Sequence, residues 1–236
     1  MIYLLVMFAI SQVAIGLRYI VYGLFEWEQF ALSSLFLVAT LCLFAINRQQ
    51  SKRDFAFQPS DEAGLWQTRL AARFQSTPKK LTNGNKIAYT YQRFFPKFRQ
   101  QAFIGLVNEP RHHVHLRFEQ SSQIFEWREA DAALYQKERQ WSLTTDGRLV
   151  ASAILKPTIQ SVVALETRLA VTIGNESYQI TGYKGSSQIL LERNGQLFGE
   201  GDFSKLVNGH YQFRIPDDAH DNLLAMAMTL FVFTLS

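Results

Sequence analysis

Between Lys79 and Arg111, basic and aromatic residues crowd together. Lys79, Lys80, Lys86, Arg93, Lys97, Arg99 and Arg111 are interleaved with Tyr89, Tyr91, Phe94, Phe95 and Phe98. Cations contact phosphate oxygens and aromatic faces give stacking or an interfacial foothold, so the combination suits anionic lipid or nucleic acid. It also describes a sheet with aromatics turned to a core and charges turned to water. A second group, His112-His113-Val114-His115, carries metal-ligating side chains. On a strand His113 and His115 share one face and His112 takes the other, so at most two can reach one metal. The block is therefore read as a polar strand face near the surface, with no metal site.

The carboxylates are scattered. Glu126, Glu129 and Asp131 read as a solvated surface cluster, and Asp217, Asp218 and Asp221 as caps and dipole partners opening a helix. No Gly-rich phosphate loop, G-x-S-x-G elbow, H-E-x-x-H pair or EF-hand loop occurs in the sequence. The expectation is a protein that is not an enzyme and needs no cofactor. Cys42 is the only cysteine, which excludes an intrachain disulfide and a cysteine-based zinc site.

The elements that must hold these residues begin with two apolar runs. Ile2 to Phe25 is long enough to cross a bilayer, and Phe30 to Ile46 is a second span near the short end of the range. A signal peptide would have a basic start, a shorter apolar region and a small-residue cleavage site, which this segment does not offer. Arg48, Lys52 and Arg53 follow the second span, whereas the connection carries only Glu26 and Glu28. The positive-inside rule predicts a two-pass cell-membrane protein with both termini cytoplasmic and the acidic turn outside. Those three basic residues would lie against the anionic inner leaflet. Arg18, inside the first span, is expected to snorkel towards Glu26 or Glu28. Domain boundaries follow: a hairpin over 1–47, a basic linker and short helix over 48–85, and a soluble domain over 86–236. The short helix is expected over Asp61 to Phe74, where Leu65, Trp66, Leu70 and Phe74 recur at helical spacing.

The 236 residues include 19 Phe and are 47% hydrophobic, enough for a large core, with 24 basic against 20 acidic side chains. From Lys86 onward the period turns towards two, giving about ten to twelve short strands. Asp146-Gly147, Gly174-Asn175 and Asn194-Gly195 mark three hairpins. The chain then reaches Leu223 to Leu235, apolar on every side of a helical wheel. Such a helix is roughly 20 Å long, short of a bilayer's roughly 30 Å core, so protein must surround it. A closed antiparallel barrel wrapped around this helix, 221–235, satisfies both requirements.

Hairpins with X-Gly turns, a final strand Tyr211-Gln-Phe-Arg-Ile215 and an apolar helix opened by Asp221-Asn-Leu-Leu-Ala-Met-Ala-Met228 resemble the tubby C-terminal superfamily. Tyr178-Gln-Ile180 and Gln188-Ile-Leu-Leu-Glu-Arg-Asn-Gly195 add to the likeness. That group includes tubby domains, phospholipid scramblases and LURP-one-related proteins. The resemblance spans roughly Lys86 to Ser236 and implies a twelve-stranded barrel around a central helix. Its tubby members bind phosphoinositides through basic residues, and its scramblases are associated with lipid movement and calcium. Neither set of ligand residues matches positions here. The functional expectation is a membrane-anchored tubby-like barrel that binds anionic lipid head groups through Lys79, Lys80, Lys97, Arg99 and Arg111, or scaffolds at the inner leaflet. A domain tethered beside lipid meets lipid more often than nucleic acid, by effective concentration alone. The alternatives are a protein-interaction module with no lipid ligand and, behind it, a scramblase-like activity.

Overall fold

The computed structural model describes residues 2–62, 64–70, 76–97, 113–130, 138–155, 166–183, 186–204 and 209–235. The chain divides into two compact units, one built on the N-terminal helices as far as Lys52, the other beginning at Arg53.

In the first unit α1 (Ile2–Tyr22) and α2 (Trp27–Phe55) are both long and apolar enough to cross a bilayer. Gln12 Nε2 donates to Ser33 Oγ at 2.6 Å, tying the two helices together. Arg18 Nη2 lies 2.6 Å from Glu26 Oε1, the snorkelling pair expected from sequence. The basic linker is not a separate element. Asn47 to Phe55 continues α2 for more than two further turns, because its Arg, Gln and Lys residues are good helix formers.

The second unit is a closed barrel of twelve antiparallel strands. They are β1 (Leu65–Arg69), β2 (Lys79–Asn83), β3 (Lys86–Phe94), β4 (His115–Gln120), β5 (Gln123–Glu129) and β6 (Arg139–Thr145), followed by β7 (Arg148–Leu155), β8 (Glu166–Ile173), β9 (Glu176–Tyr183), β10 (Gln188–Arg193), β11 (Gln196–Ser204) and β12 (His210–Arg214). Each strand pairs with its sequence neighbours, and β1 pairs with β12 to close the ring, Trp66 opposite Phe213 and Thr68 opposite Tyr211. Closure removes every free sheet edge.

Two expectations are corrected here. The stretch read as a helix over Asp61 to Phe74 contains β1, and β2 also precedes Lys86, so the barrel starts at Leu65. Trp66, Thr68 and Leu70 are buried and alternate at period two, while Trp66 and Leu70 also fit a helical stripe; pairing on both sides with β12 and β2 selects the strand. The helical reading of Phe74 falls outside the described residues.

The barrel has two unlike ends. At one, which we call the turn end, strands are joined by two-residue turns at Gly84-Asn85, Ser121-Ser122, Asp146-Gly147, Gly174-Asn175 and Asn194-Gly195. Asp146 and Gly147 both have positive φ (48° and 77°), as do Asn194 and Gly195 (53° and 77°), the type I′ geometry expected of those pairs. Ser121 holds a positive φ of 52° without being glycine. Three of these hairpins carry an extra residue on the second strand, Ala88, Val150 and Phe198, and each packs against the core. At the other end, the loop end, lie the strand ends away from these turns.

Inside lies α3 (Asp221–Thr234), where every residue from Leu224 to Thr234 is buried. It shares one core with Trp127, Leu143, Leu169, Val171, Ile180, Leu191 and Phe213 of the wall. Glycines let the wall approach it: a Cβ on Gly182 would sit 2.9 Å from the Phe231 ring, and one on Gly201 3.1 Å from Met228 Cε. The helix starts after His220 with no side-chain cap, so the expected capping role of the aspartates is corrected. Asp221 lies in the first turn, where its charge favours the helix dipole, and its Oδ1 accepts from the Asn222 backbone N–H.

Candidate functional site

The inner face of β2 and β3 follows from alternation. Leu81, Tyr89 and Tyr91 are buried inward, and Lys79 and Arg93 continue the same face towards the loop end. Both cations are almost wholly buried, each 1% exposed. Lys79 Nζ donates to the Thr77 carbonyl at 3.0 Å and lies 3.4 Å from its hydroxyl. Burial lowers its pKa to about 8; the Asp54 carboxylate pulls it up and Arg93 pushes it down. Arg93 Nη2 donates to the His113 carbonyl at 3.2 Å, and its guanidinium lies 5.1 Å from the Phe95 ring centroid. Burial brings its pKa to about 10, with Glu129 raising it and Arg139 lowering it.

Two carboxylates stand beside these cations. Asp54, near the end of α2 and fully buried, is 3.7 Å from Arg69 Nε of β1. Glu129 of β5 receives Arg139 at both oxygens, 2.7 and 2.9 Å, and the Val114 backbone N–H at 2.7 Å. The Arg139 guanidinium covers the Trp141 ring at 4.7 Å. Glu129 is thus a buried ion-pair partner, a correction to its reading as a solvated surface residue; Glu126 pairs with Arg117 and Arg128, and Asp131 lies outside the described residues.

The proposed lipid ligands are not brought together. Lys79 faces inward; Lys80 faces the other way, with Nζ 4.5 Å from the Phe55 ring centroid; Lys97 is exposed. Arg99 and Arg111 lie outside the described residues. Arg48, Lys52 and Arg53 are exposed along the last turns of α2. On the barrel wall most exposed arginines are matched: Arg168 with Glu166, Arg128 with Glu126, Arg214 with Glu62.

The histidine block departs from its expected strand geometry. His113 has a φ of 53°, which breaks the alternation, and His112 lies outside the described residues. His115 is buried, not part of a polar surface; its Nδ1 accepts from the Glu129 backbone N–H at 3.1 Å. Among the described residues no group of three metal-ligating side chains converges. Burial lowers the His115 pKa to about 4, Glu129 opposes this, and His113, Arg93 and Arg128 add to it. Folding therefore requires the neutral ring. Between about 6.5 and about 4 the unfolded chain binds the proton and the folded one does not, so stability falls as pH drops through that window. Melting temperatures measured from pH 7 to pH 4 are expected to show a loss on the order of 2 kcal/mol that His115→Phe removes. Parallel curves for the two proteins would refute this assignment.

At the turn end the sign reverses. Among the described residues, Asp61, Asp217 and Asp221 outnumber the single cation, Lys86, on the border of a cavity of about 690 Å³, with Trp66, Asn85 and Asn222. Burial raises the Asp221 pKa, and Asp217 and Asp218 raise it further. Tyr89, raised by burial and by Asp221, donates to Asn222 Oδ1 at 3.2 Å.

No family model, curated protein or solved structure matches this chain.

Proposed function

We propose that this is a membrane-anchored, non-enzymatic protein whose barrel binds anionic lipid head groups, or scaffolds, at the inner leaflet. The observation that carries the reading is the run of exposed cations Arg48, Lys52 and Arg53 on the helical continuation of an apolar span. It is supported by Lys79 and Arg93, two cations held at the loop end of the barrel interior. The orientation with both termini in the cytoplasm rests on the same basic residues and on the acidic Glu26–Glu28 connection. Kinship with the tubby C-terminal superfamily is part of this proposal, supported by a twelve-strand closed barrel with an apolar helix inside.

Full-length protein in detergent, offered equal phosphatidylcholine and phosphatidylglycerol, should retain the anionic lipid preferentially in native mass spectrometry. Replacing Arg48, Lys52 and Arg53 together by Gln should cut that preference at least about tenfold, since each basic residue near such a surface contributes about 1 kcal/mol. Equal retention of the two lipids by the unsubstituted protein overturns the lipid reading and leaves the protein-interaction module.

A further inference from the structure

The hairpins of the turn end repeat one unexpected choice. At the second residue after the turn, a position open to water, β3 carries Ile87, β5 Ile124, β7 Leu149 and β11 Leu197. Their exposures are 55%, 38%, 66% and 65%, and only the β8–β9 hairpin has a polar residue, Ser177, at this place. The wall below does not repeat this, its outward residues being mostly polar and its exposed arginines paired. Single exposed aliphatics are ordinary, but four at one equivalent position on one rim form an apolar collar. Nothing in the barrel core uses them.

The collar surrounds net negative charge, in which carboxylates outnumber cations. Asp61, Asp217 and Asp221 border the cavity within it with one cation among the described residues, Lys86, and Glu119 and Asp146 stand exposed beside the turns, against Arg148. Anionic lipid is repelled by such a face, and a second copy would bring the same carboxylates against themselves. An apolar segment flanked by lysine or arginine meets both requirements: its aliphatic side chains cover the collar and its cations reach the carboxylates. Amphipathic basic helices have this composition.

We propose that the turn end is a docking surface for a basic amphipathic segment of a protein partner. The aliphatic collar supplies the contact area and the acidic cavity border selects the charge. This surface uses none of the residues assigned to lipid, so either proposal can fail without the other.

The test uses full-length protein in nanodiscs of neutral phosphatidylcholine and, as probe, a fluorescein-labelled amphipathic leucine–lysine peptide. Saturable binding is expected, weakening as salt rises. Leu149→Ser combined with Leu197→Ser should weaken it about tenfold or more, the equivalent of one well-buried aliphatic contact. Both side chains are exposed, so the double variant should melt within a few degrees of the parent; if it does not, Leu149→Ser alone serves. Benzoylphenylalanine at position 149 should crosslink to the peptide. Undiminished binding by the serine variants, equal binding of a leucine–glutamate peptide, or crosslinking to lipid or to a second copy in the peptide's presence would overturn the proposal.

Discussion

Replacing Met228 with aspartate is expected to abolish the folded barrel. Met228 is completely buried in α3, and its Cε lies against the wall where Gly201 has no side chain to offer. A carboxylate there would lose its hydration among apolar core residues, and an unpaired buried charge costs several kcal/mol, a large share of the stability of a domain this size. Met228→Ala is the graded comparison, leaving a cavity at about 2–5 kcal/mol. In circular dichroism of the full chain in detergent, the strand signal should collapse for the aspartate variant while the helical contribution of α1 and α2 persists. Unchanged strand signal and melting would show that α3 is not enclosed.

The second large effect is electrostatic. Glu129→Ala should destabilise the barrel by about 3–5 kcal/mol, because it removes one partner of a buried pair. Glu129 and Arg139 are only 6% and 14% exposed, so the guanidinium would be left without its bidentate acceptor. The Val114 backbone N–H would lose its acceptor as well. Arg93 would then face Arg139, and His115 would face Arg93 and Arg128, with the main opposing negative charge gone. Glu129→Gln keeps an acceptor for the Val114 N–H and should cost less. Urea unfolding followed by tryptophan fluorescence suits this test because Trp127 and Trp141 lie beside the site. A loss below about 1 kcal/mol for the alanine variant would mean the pair is solvent-screened, as surface pairs are.

Much of the architecture is legible in the sequence, and the reasons are local. An apolar run too short for a bilayer and apolar on all sides has one solution, enclosure. Asp-Gly and Asn-Gly turns declare themselves through the backbone they require. What escaped depended on distant partners. β1 looks helical until β12 pairs with it from the far end of the chain, and Ser121-Ser122 gives no composition signal for a positive φ. The candidate cluster was half legible. Tyr89, Tyr91 and Arg93 share a strand face, as do Arg139, Trp141 and Leu143, so an inward aromatic already implies an inward arginine at the strand end. That Asp54 would come to Arg69 could not be foreseen, since α2 was expected to stop short of it. The collar was legible too, as an aliphatic two places beyond four of the five turns, but only once the turns were known to share one end.

The enclosed position of α3 has a consequence for biosynthesis. It follows all twelve strands in the chain, and β1 completes its pairing only with β12. The whole wall is therefore synthesised before the element that fills it, and until then the inward aromatics and aliphatics have no helix to pack on. The earliest barrel strand waits longest for its partner, so folding of this unit is late and dominated by non-local closure. A chaperone that shields an open, half-curled sheet would find its substrate here, during the interval between β1 and α3.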